Sequence, residues 1–216
     1  MAHYFQRDAI KTLSELFEAI HIIESMANLP ITSIQQPTLG QEWLAEFALS
    51  DNRVVRFRHV QPQDEPLIAD AIRTASRETL LHRFFSPIRK VSPDLLRKML
   101  EIDRAKELCI VGVAEENRGA RMICGARYVR LPQPGAAEIA LTVHDDFQRR
   151  GLGTFMMRLL ISLGRSEGIR WFEAYVMGSN VGMLRLLDKV VPARRSWYST
   201  GDVQHFVIDL EIDKSE

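Results

Sequence analysis

The stretch Gln148-Arg149-Arg150-Gly151-Leu152-Gly153-Thr154 decides the fold of this chain, because it joins a strand pattern to a helix pattern. Before it, residues 137–143 alternate between two faces, which predicts a strand. After it, apolar residues recur every three or four positions as far as Leu163, which predicts an amphipathic helix that Gly168 ends. The two glycines therefore lie at a helix N-terminus, where unpaired N–H groups and the helix dipole favour an anion. The sequence predicts a phosphate-binding turn.

Two other glycine motifs do not fit this turn. A dinucleotide fingerprint requires a third glycine where the chain has Met156, and a P-loop requires Gly-Lys-Ser/Thr, which is absent. A Gly-x-Gly pair alone also fits an ordinary tight turn between a strand and a helix. The surrounding elements are therefore needed to distinguish such a turn from a phosphate-binding turn.

The elements around the turn alternate between strands and helices. Downstream, we predict a strand over 171–176, a helix that Asn180 caps and that ends near Val190, and a closing hairpin around Gly201-Asp202. Upstream, we predict a strand over 54–60, one helix from about 64 to 85, and a short helix after Ser92-Pro93. Residues 108–114 and 120–131 are rich in strand formers and flank a turn, which predicts an antiparallel pair.

Together these elements predict an α/β fold with a mixed, mostly antiparallel sheet, flanking helices and a parallel crossover around 151–169. Residues 7–26 have the periodicity of an amphipathic helix, whose apolar face is expected to pack on the rest of the chain or on a second copy in a homodimer. We place a domain boundary near residues 50–52, giving a helical extension over 1–50 and one α/β domain over 51–216.

The composition argues against nucleic acid and membranes as partners of the chain. With 28 basic and 28 acidic residues the net charge is +0, so no global field attracts nucleic acid or an anionic membrane surface. No apolar run approaches the roughly 20 residues of a membrane span. The two cysteines, Cys109 and Cys124, are too few for a disulfide framework and are expected to pack as reduced thiols, and no secretory signal is apparent. We therefore expect a cytoplasmic location.

In this context the turn resembles the Q/R-x-x-G-x-G/A signature of the GNAT acetyltransferases. The resemblance covers about residues 54–210 and includes Asn180-x-x-Met183-Leu184-x-Leu186. The stretches Arg83-Phe84-Phe85-Ser86-Pro87, Gly125-Ala126-Arg127-Tyr128 and Ala137-Glu138-Ile139-Ala140 are similar to the acetyltransferase domain of bacterial protein-lysine acetyltransferases.

This resemblance implies acetyl-CoA as co-substrate and no metal. It implies that the turn amides hold the pyrophosphate, that the strand backbone meets the pantetheine arm, and that Asn180 lies near the arm or the sulfur. The cofactor-binding residues implied in this way are Leu141, Thr142, Val143, Gln148, Arg149, Arg150, Gly151, Leu152, Gly153, Thr154 and Asn180.

Glu138 is the candidate general base. A lysine amine with a pKa near ~10.4 is neutral in only about one molecule in a thousand at pH 7, so a group that removes its proton is useful. Glu138 projects from the strand that leads into the turn, and the similar acetyltransferases have a glutamate there. An ordinary surface ion pair is the alternative role for this carboxylate.

Two further positions depart from simple expectations. Many relatives have a tyrosine on the Asn180 helix that protonates the leaving thiolate, but this chain has Leu187 there, so Tyr175, Tyr198 or water would have to substitute. His144 precedes Asp145 and Asp146, yet no further ligands have metal-site spacing, and we expect a solvated loop.

The resemblance implies acetyl transfer from acetyl-CoA to a primary amine, and its closer part favours a protein lysine. A small-molecule amine is the second possibility. The third is a non-catalytic module that senses acyl-CoA, in which Leu187 would reflect lost chemistry.

Overall fold

An eight-stranded sheet lies at the centre of the computed structural model, which describes residues 43–117, 119–191 and 195–211. Its spatial order is β1-β2-β3-β4-β5-β6-β8-β7, and all neighbours are antiparallel except β5 and β6. The strands are β1 Ala45–Ala48, β2 Val54–His59, β3 Glu107–Glu116, β4 Gly119–Arg130, β5 Ala136–Val143, β6 Trp171–Met177, β7 Arg195–Thr200 and β8 Val203–Asp209. The predicted mixed, mostly antiparallel sheet is confirmed.

Helices cover both faces of the sheet. They are α1 Glu65–Thr74, α2 Arg77–Phe84, α3 Pro93–Leu100, α4 Leu152–Ser166 and α5 Val181–Val190. One face packs its apolar side chains against α4 and α5, and the other packs against α1, α2 and α3. The β5–α4–β6 unit supplies the parallel pair, as the periodicity around the glycine turn predicts.

Alternation along β5 sends its side chains to these two faces. Ala137 and Ile139 are buried with the side chains of α4, and Leu141 and Val143 pack against the same cluster. Glu138 and Thr142 therefore point towards the face that carries α1 to α3. The two cysteines also lie on opposite faces, with Cys124 in the α4 cluster and Cys109 beside α1 to α3, and both thiols are free.

The sheet begins earlier than the sequence predicts. The expected boundary at residues 50–52 is the turn of a hairpin in which β1 pairs with β2, from Ala45↔Phe57 to Ala48↔Val54. Asn52 has φ 67, a conformation that asparagine tolerates better than most residues. Residues 45–48 are therefore part of the same sheet, and the helix predicted over 7–26 lies outside the described residues.

The single helix predicted from 64 to 85 is instead two helices. The backbone is extended at Ala75 and Ser76, and the Ser76 hydroxyl accepts a hydrogen bond from Thr79 N at 3.1 Å as the N-cap of α2. A serine cap satisfies an amide that has no partner within the helix, so it starts a new helix where periodicity alone predicts continuation. In the described part of the chain, no helix is long and apolar enough to cross a membrane.

Candidate functional site

Strands β5 and β6 part after a short stretch of pairing. Their parallel register covers Ala136↔Trp171, Ala137↔Phe172 and Glu138↔Glu173, although both strands continue. A cleft of about 520 Å³ lies near the parted ends, between α2, the glycine turn and the start of α5. The walls of the cleft include Glu78, Thr79, His82, Arg83, Leu141, Thr142, Val143, Gln148, Arg149, Gly151, Gly153, Thr154, Asn180, Met183 and Leu186.

The glycine turn presents backbone donors to this cleft. Arg149 has φ 59 and Gly151 has φ 90, so two positive-φ residues alternate in a turn, which makes a concave row of N–H groups. Gly151 is the N-cap of α4 and supplies no side-chain cap, and the first helical bond runs from Phe155 N to Gly151 O at 3.0 Å. The amides of the first helical turn are therefore available to an anion, and the helix dipole favours one.

Each glycine of the turn has a different reason to lack a side chain. A Cβ at Gly151 would require a left-handed conformation and would lie 3.2 Å from Phe47 Cζ. A Cβ at Gly153 would lie 3.4 Å from Leu186 Cδ2 on α5, which is ordinary contact, but would project into the cleft. Gly151 is thus required by the backbone, whereas Gly153 keeps the cleft open.

Hydrogen bonds hold the turn against β5 and α2. Gln148 Nε2 donates to Val143 O at 3.2 Å and to Thr79 Oγ1 at 3.2 Å. Asp145 accepts from Ser76 N at 2.8 Å, from Ser76 Oγ at 2.7 Å and from Thr79 Oγ1 at 2.8 Å. The N-terminus of α2 and the segment that leads into the turn are therefore one hydrogen-bonded unit.

Most of the residues that the sequence assigns to cofactor binding line the cleft, but two do not. Arg150 donates to Asp51 Oδ2 at 2.8 Å and lies over the Phe147 ring, so its side chain is engaged outside the cleft. Leu152 is buried in the core, which leaves only its backbone for a ligand. Asn180 lines the cleft and also caps α5, because its Oδ1 accepts from Met183 N at 3.1 Å.

Glu138 lies at the position where β5 and β6 part. Its side chain is exposed and projects from the sheet face opposite α4, and it is not among the residues that line the large cleft. Burial lowers the pKa of Arg83, and the charge of Glu138 is among those that oppose this shift, so the two side chains are close enough to interact. In the sequence, Arg83 belongs to a stretch that resembles protein-lysine acetyltransferases, and its local pattern does not mark it as a site residue.

Residues 74–190 match the family model described as Acetyltransferase (GNAT) family, which spans more than half of the chain. The chain belongs to the GNAT acetyltransferase family. It is therefore an acyl-CoA-dependent N-acyltransferase, as the family resemblance of the turn and its surroundings implies.

Known relatives agree with this family. Acetyltransferase PA5475 of Pseudomonas aeruginosa is 30% identical over 144 residues, which cover 67% of this chain and 76% of that protein. Acetyltransferase Pat of Mycolicibacterium smegmatis is 38% identical over 116 residues, which cover 53% of this chain and 34% of that protein. The crystal structure of the GNAT domain of S. lividans PAT superposes with a TM-score of 0.67 at 22% identity, covering 81% of this chain and 99% of that one.

In this GNAT domain, Leu187 is a packing residue. It is 0% exposed and belongs to the core between α4, α5 and the sheet, so a polar group at this position would have to be buried. Tyr175 is exposed on β6, where its ring stacks on His205 with centroids 4.6 Å apart, and the side chain of Tyr198 lies outside the described part of the structure.

His144 corrects an expectation, because it does not lie in a solvated loop. It is buried, its ring nitrogen lies 3.0 Å from Thr74 Oγ1, and Arg121 Nη2 lies 3.1 Å from the same nitrogen. Arg121 also donates to Asp146 at 2.9 Å. His144 therefore links α1 and β4 to the segment before the turn, and this could not be predicted from local pattern because Thr74 and Arg121 lie 70 and 23 residues away along the chain.

Proposed function

We propose that this GNAT domain transfers the acetyl group of acetyl-CoA to the side-chain amine of a protein lysine, with Glu138 as the general base. The parting of β5 and β6 immediately after Glu138 carries this proposal, because the parted strands open a cleft whose far end is the phosphate-binding turn. A long, thin co-substrate with a diphosphate at one end and a thioester at the other fits a cleft of this form.

The binding half of the proposal rests on backbone groups. We assign the pyrophosphate to the turn amides from Arg149 to Thr154 and the pantetheine arm to the edge of β5 at Leu141 to Val143, where β6 no longer pairs. Asn180 continues to cap α5 through its hydrogen bond from Met183 N, and it lies beside the pantetheine arm. Among the described residues, no group of three or more His, Cys, Asp or Glu side chains could hold a metal ion, and the proposed reaction uses none.

In the chemical step, the amine nitrogen forms a bond to the thioester carbonyl carbon and the carbon–sulfur bond breaks. The ammonium gives one proton to Glu138, directly or through one water, and Glu138 releases it to solvent after the reaction. The nitrogen loses its second proton to water as the amide forms. The departing thiolate takes a proton from water, because Leu187 offers none and an ordinary thiol has a pKa of about 8.5, which makes thiolate a tolerable leaving group near neutral pH.

A protein acceptor is favoured by two observations. The stretches around Arg83, Arg127 and Glu138 resemble protein-lysine acetyltransferases, and the Glu138 side chain is exposed, which leaves it accessible to a large substrate. The acceptor is tested by incubating the protein with acetyl-CoA and either a lysine peptide or a panel of small amines, with thiol release and product mass as readouts. Turnover of peptide above the panel supports the proposal, the reverse favours a small amine, and tight binding with no turnover favours a sensor.

A further inference from the structure

A second cavity lies on the other side of β5. It measures about 80 Å³ and is bounded by helices α1 to α3 and by strands β3 to β5. Its walls include Ala71 and Ala75 of α1, Leu80 of α2, Met99 of α3 and Met122 and Gly125 on β4. These positions are apolar, and Arg83, Arg127, Thr142 and His144 also line the cavity. Its predominantly apolar wall can accept an apolar ligand.

The two cavities meet at Arg83 and Thr142, which line both of them. Thr142 lies on β5 between Leu141 and Val143, the strand edge that we assign to the pantetheine arm. Its hydroxyl Oγ1 is buried and has no hydrogen-bond partner in the described structure. A buried hydroxyl without a partner is costly, and a carbonyl group of a bound ligand at this junction would satisfy it.

We propose that the second cavity receives the acyl group of the acyl-CoA and accepts straight acyl chains up to butyryl. This inference rests on the proposed function, because it places the thioester beside Thr142 and directs the acyl carbons away from the cleft. A volume of about 80 Å³ holds roughly three carbon-sized groups, if each takes about the 30 Å³ of a water molecule in the liquid. Three carbons beyond the carbonyl make a butyryl group.

Part of the cavity wall fits a ligand of variable length. Met99 and Met122 are flexible and polarisable side chains, which adapt to different apolar neighbours. A Cβ at Gly125 would lie 2.8 Å from Met122 Cε, so any side chain there would displace Met122 or fill the space. Gly125 therefore leaves room that Met122 and a short acyl chain can share.

Calorimetric titration of the full chain with acetyl-, propionyl-, butyryl- and octanoyl-CoA tests this inference without an acceptor. In the wild type, we expect the affinity to rise about four-fold for each methylene group from acetyl to butyryl, because each is buried from water. Octanoyl-CoA should bind no more tightly than butyryl-CoA. Ala71→Leu adds three carbons to the cavity wall and should lower butyryl-CoA affinity more than acetyl-CoA affinity, which removes the gain from acetyl to butyryl. Ala120→Leu adds the same carbons at an exposed site on β4 and serves as the control.

A second variant tests the same cavity in case Ala71→Leu does not fold. Met122→Ala enlarges the cavity and should improve octanoyl-CoA binding relative to acetyl-CoA. Equal affinity of the wild type for acetyl- and butyryl-CoA, or an equal change for every acyl-CoA in Ala71→Leu, would overturn the acyl-pocket assignment while leaving the cleft in place. Failure of the wild type to bind any acyl-CoA would overturn the proposed function as well, so the two failures are distinguishable.

Discussion

Glu138 on β5 and Glu173 on β6 face each other as the last registered pair of the only parallel strand pair in the described sheet. They differ in their partners. Glu173 shares a hydrogen bond with His205 Nε2 at 2.9 Å, whereas Glu138 is exposed and its charge acts on Arg83. The two carboxylates lie where β5 and β6 part, but they are not equivalent. The hydrogen bond to His205 holds Glu173, whereas Glu138 is accessible to an incoming amine.

The glycine turn should be required for CoA binding through its backbone. Gly153→Glu should abolish acetyl-CoA binding with little loss of stability, because its backbone is compatible with a side chain that enters the cleft. Gly151→Glu should abolish binding and also lower the free energy of unfolding, because φ 90 is strained for glutamate. Gly168→Glu is the matched control, since it has φ 74 in open space away from the cleft. Unchanged calorimetric affinity in folded Gly151→Glu would remove this turn from the site.

The buried pair Arg58–Asp64 should be a strong determinant of stability. Two hydrogen bonds of 2.7 Å join the side chains, and Asp64 also accepts from Gln61 N at 2.8 Å. The residues are 5% and 1% exposed, so Asp64→Ala would leave a buried guanidinium without its counter-charge. We expect a loss of about 3–5 kcal/mol in the free energy of unfolding, measured by urea denaturation. Asp70→Ala removes an exposed partner of Arg73 and should cost less than about 1 kcal/mol.

The Asp145 contact with α2 should make stability depend on acidity. Burial raises the pKa of Asp145, but the hydrogen bonds from Ser76 and Thr79 outweigh it and hold this pKa below its ordinary value. A depressed folded-state pKa stabilises the protein above the unfolded-state value, and the contribution is lost as the pH falls through the folded-state pKa. Asp145→Asn should therefore lower Tm at pH 7, and the difference from wild type should shrink below about pH 4. An equal difference at pH 7 and pH 3 would show that ionisation is not involved.

Much of this fold could be predicted because the pattern is local. The α4 stripe and the alternation of β5 each repeat over several turns or residues, and the turn between them carries its own glycines. The two missed features lack such a repeated pattern. Strand β1 is four residues long and pairs with β2 through a turn without glycine, and the break before α2 is fixed by Ser76, whose partner Asp145 lies 69 residues away.

The backbone geometry of the glycine turn could be predicted for the same reason. Two glycines at the start of an amphipathic pattern can be recognised in the sequence, so the turn could be predicted. Arg83, Thr79 and His82 line the cleft because α2 packs beside β5, and nothing in their local pattern indicates this. The second cavity is a property of packing between three helices and the sheet, which a sequence pattern does not encode.

The strand before residue 50 should be necessary for a stable domain. A chain beginning at residue 51 lacks β1 and with it Phe47, whose ring centroid lies 5.1 Å from that of Phe155. Loss of a buried phenylalanine costs about 3–5 kcal/mol, so Tm should fall by roughly 6–20 °C relative to a chain beginning at residue 43. The full chain compared with the chain from residue 43 then tests the predicted 7–26 helix. Equal Tm and equal oligomeric mass would show that this helix packs on neither the domain nor a second copy.

Glu138→Gln should separate a general base from a structural glutamate. The substitution preserves shape and removes the basic site, so kcat/KM for a lysine peptide should fall by roughly 10²–10⁴ at neutral pH while acetyl-CoA affinity stays nearly constant. The deficit should shrink as the pH rises from about 6.5 to 9.5, because solvent then supplies more of the neutral amine as the pH approaches the amine pKa of about 10.4. A structural role would give a deficit that does not change with pH.

Glu173→Gln is the matched control for this measurement, because it removes one negative charge from the adjacent strand at the same register position. If the local field alone assists the ammonium, both variants should show similar pH profiles. If Glu138 takes the proton, only Glu138→Gln should lose activity at low pH and recover it at high pH. Equal activity of Glu138→Gln and wild type at pH 6.5 would remove Glu138 from the mechanism, because solvent competes least effectively for the amine proton there.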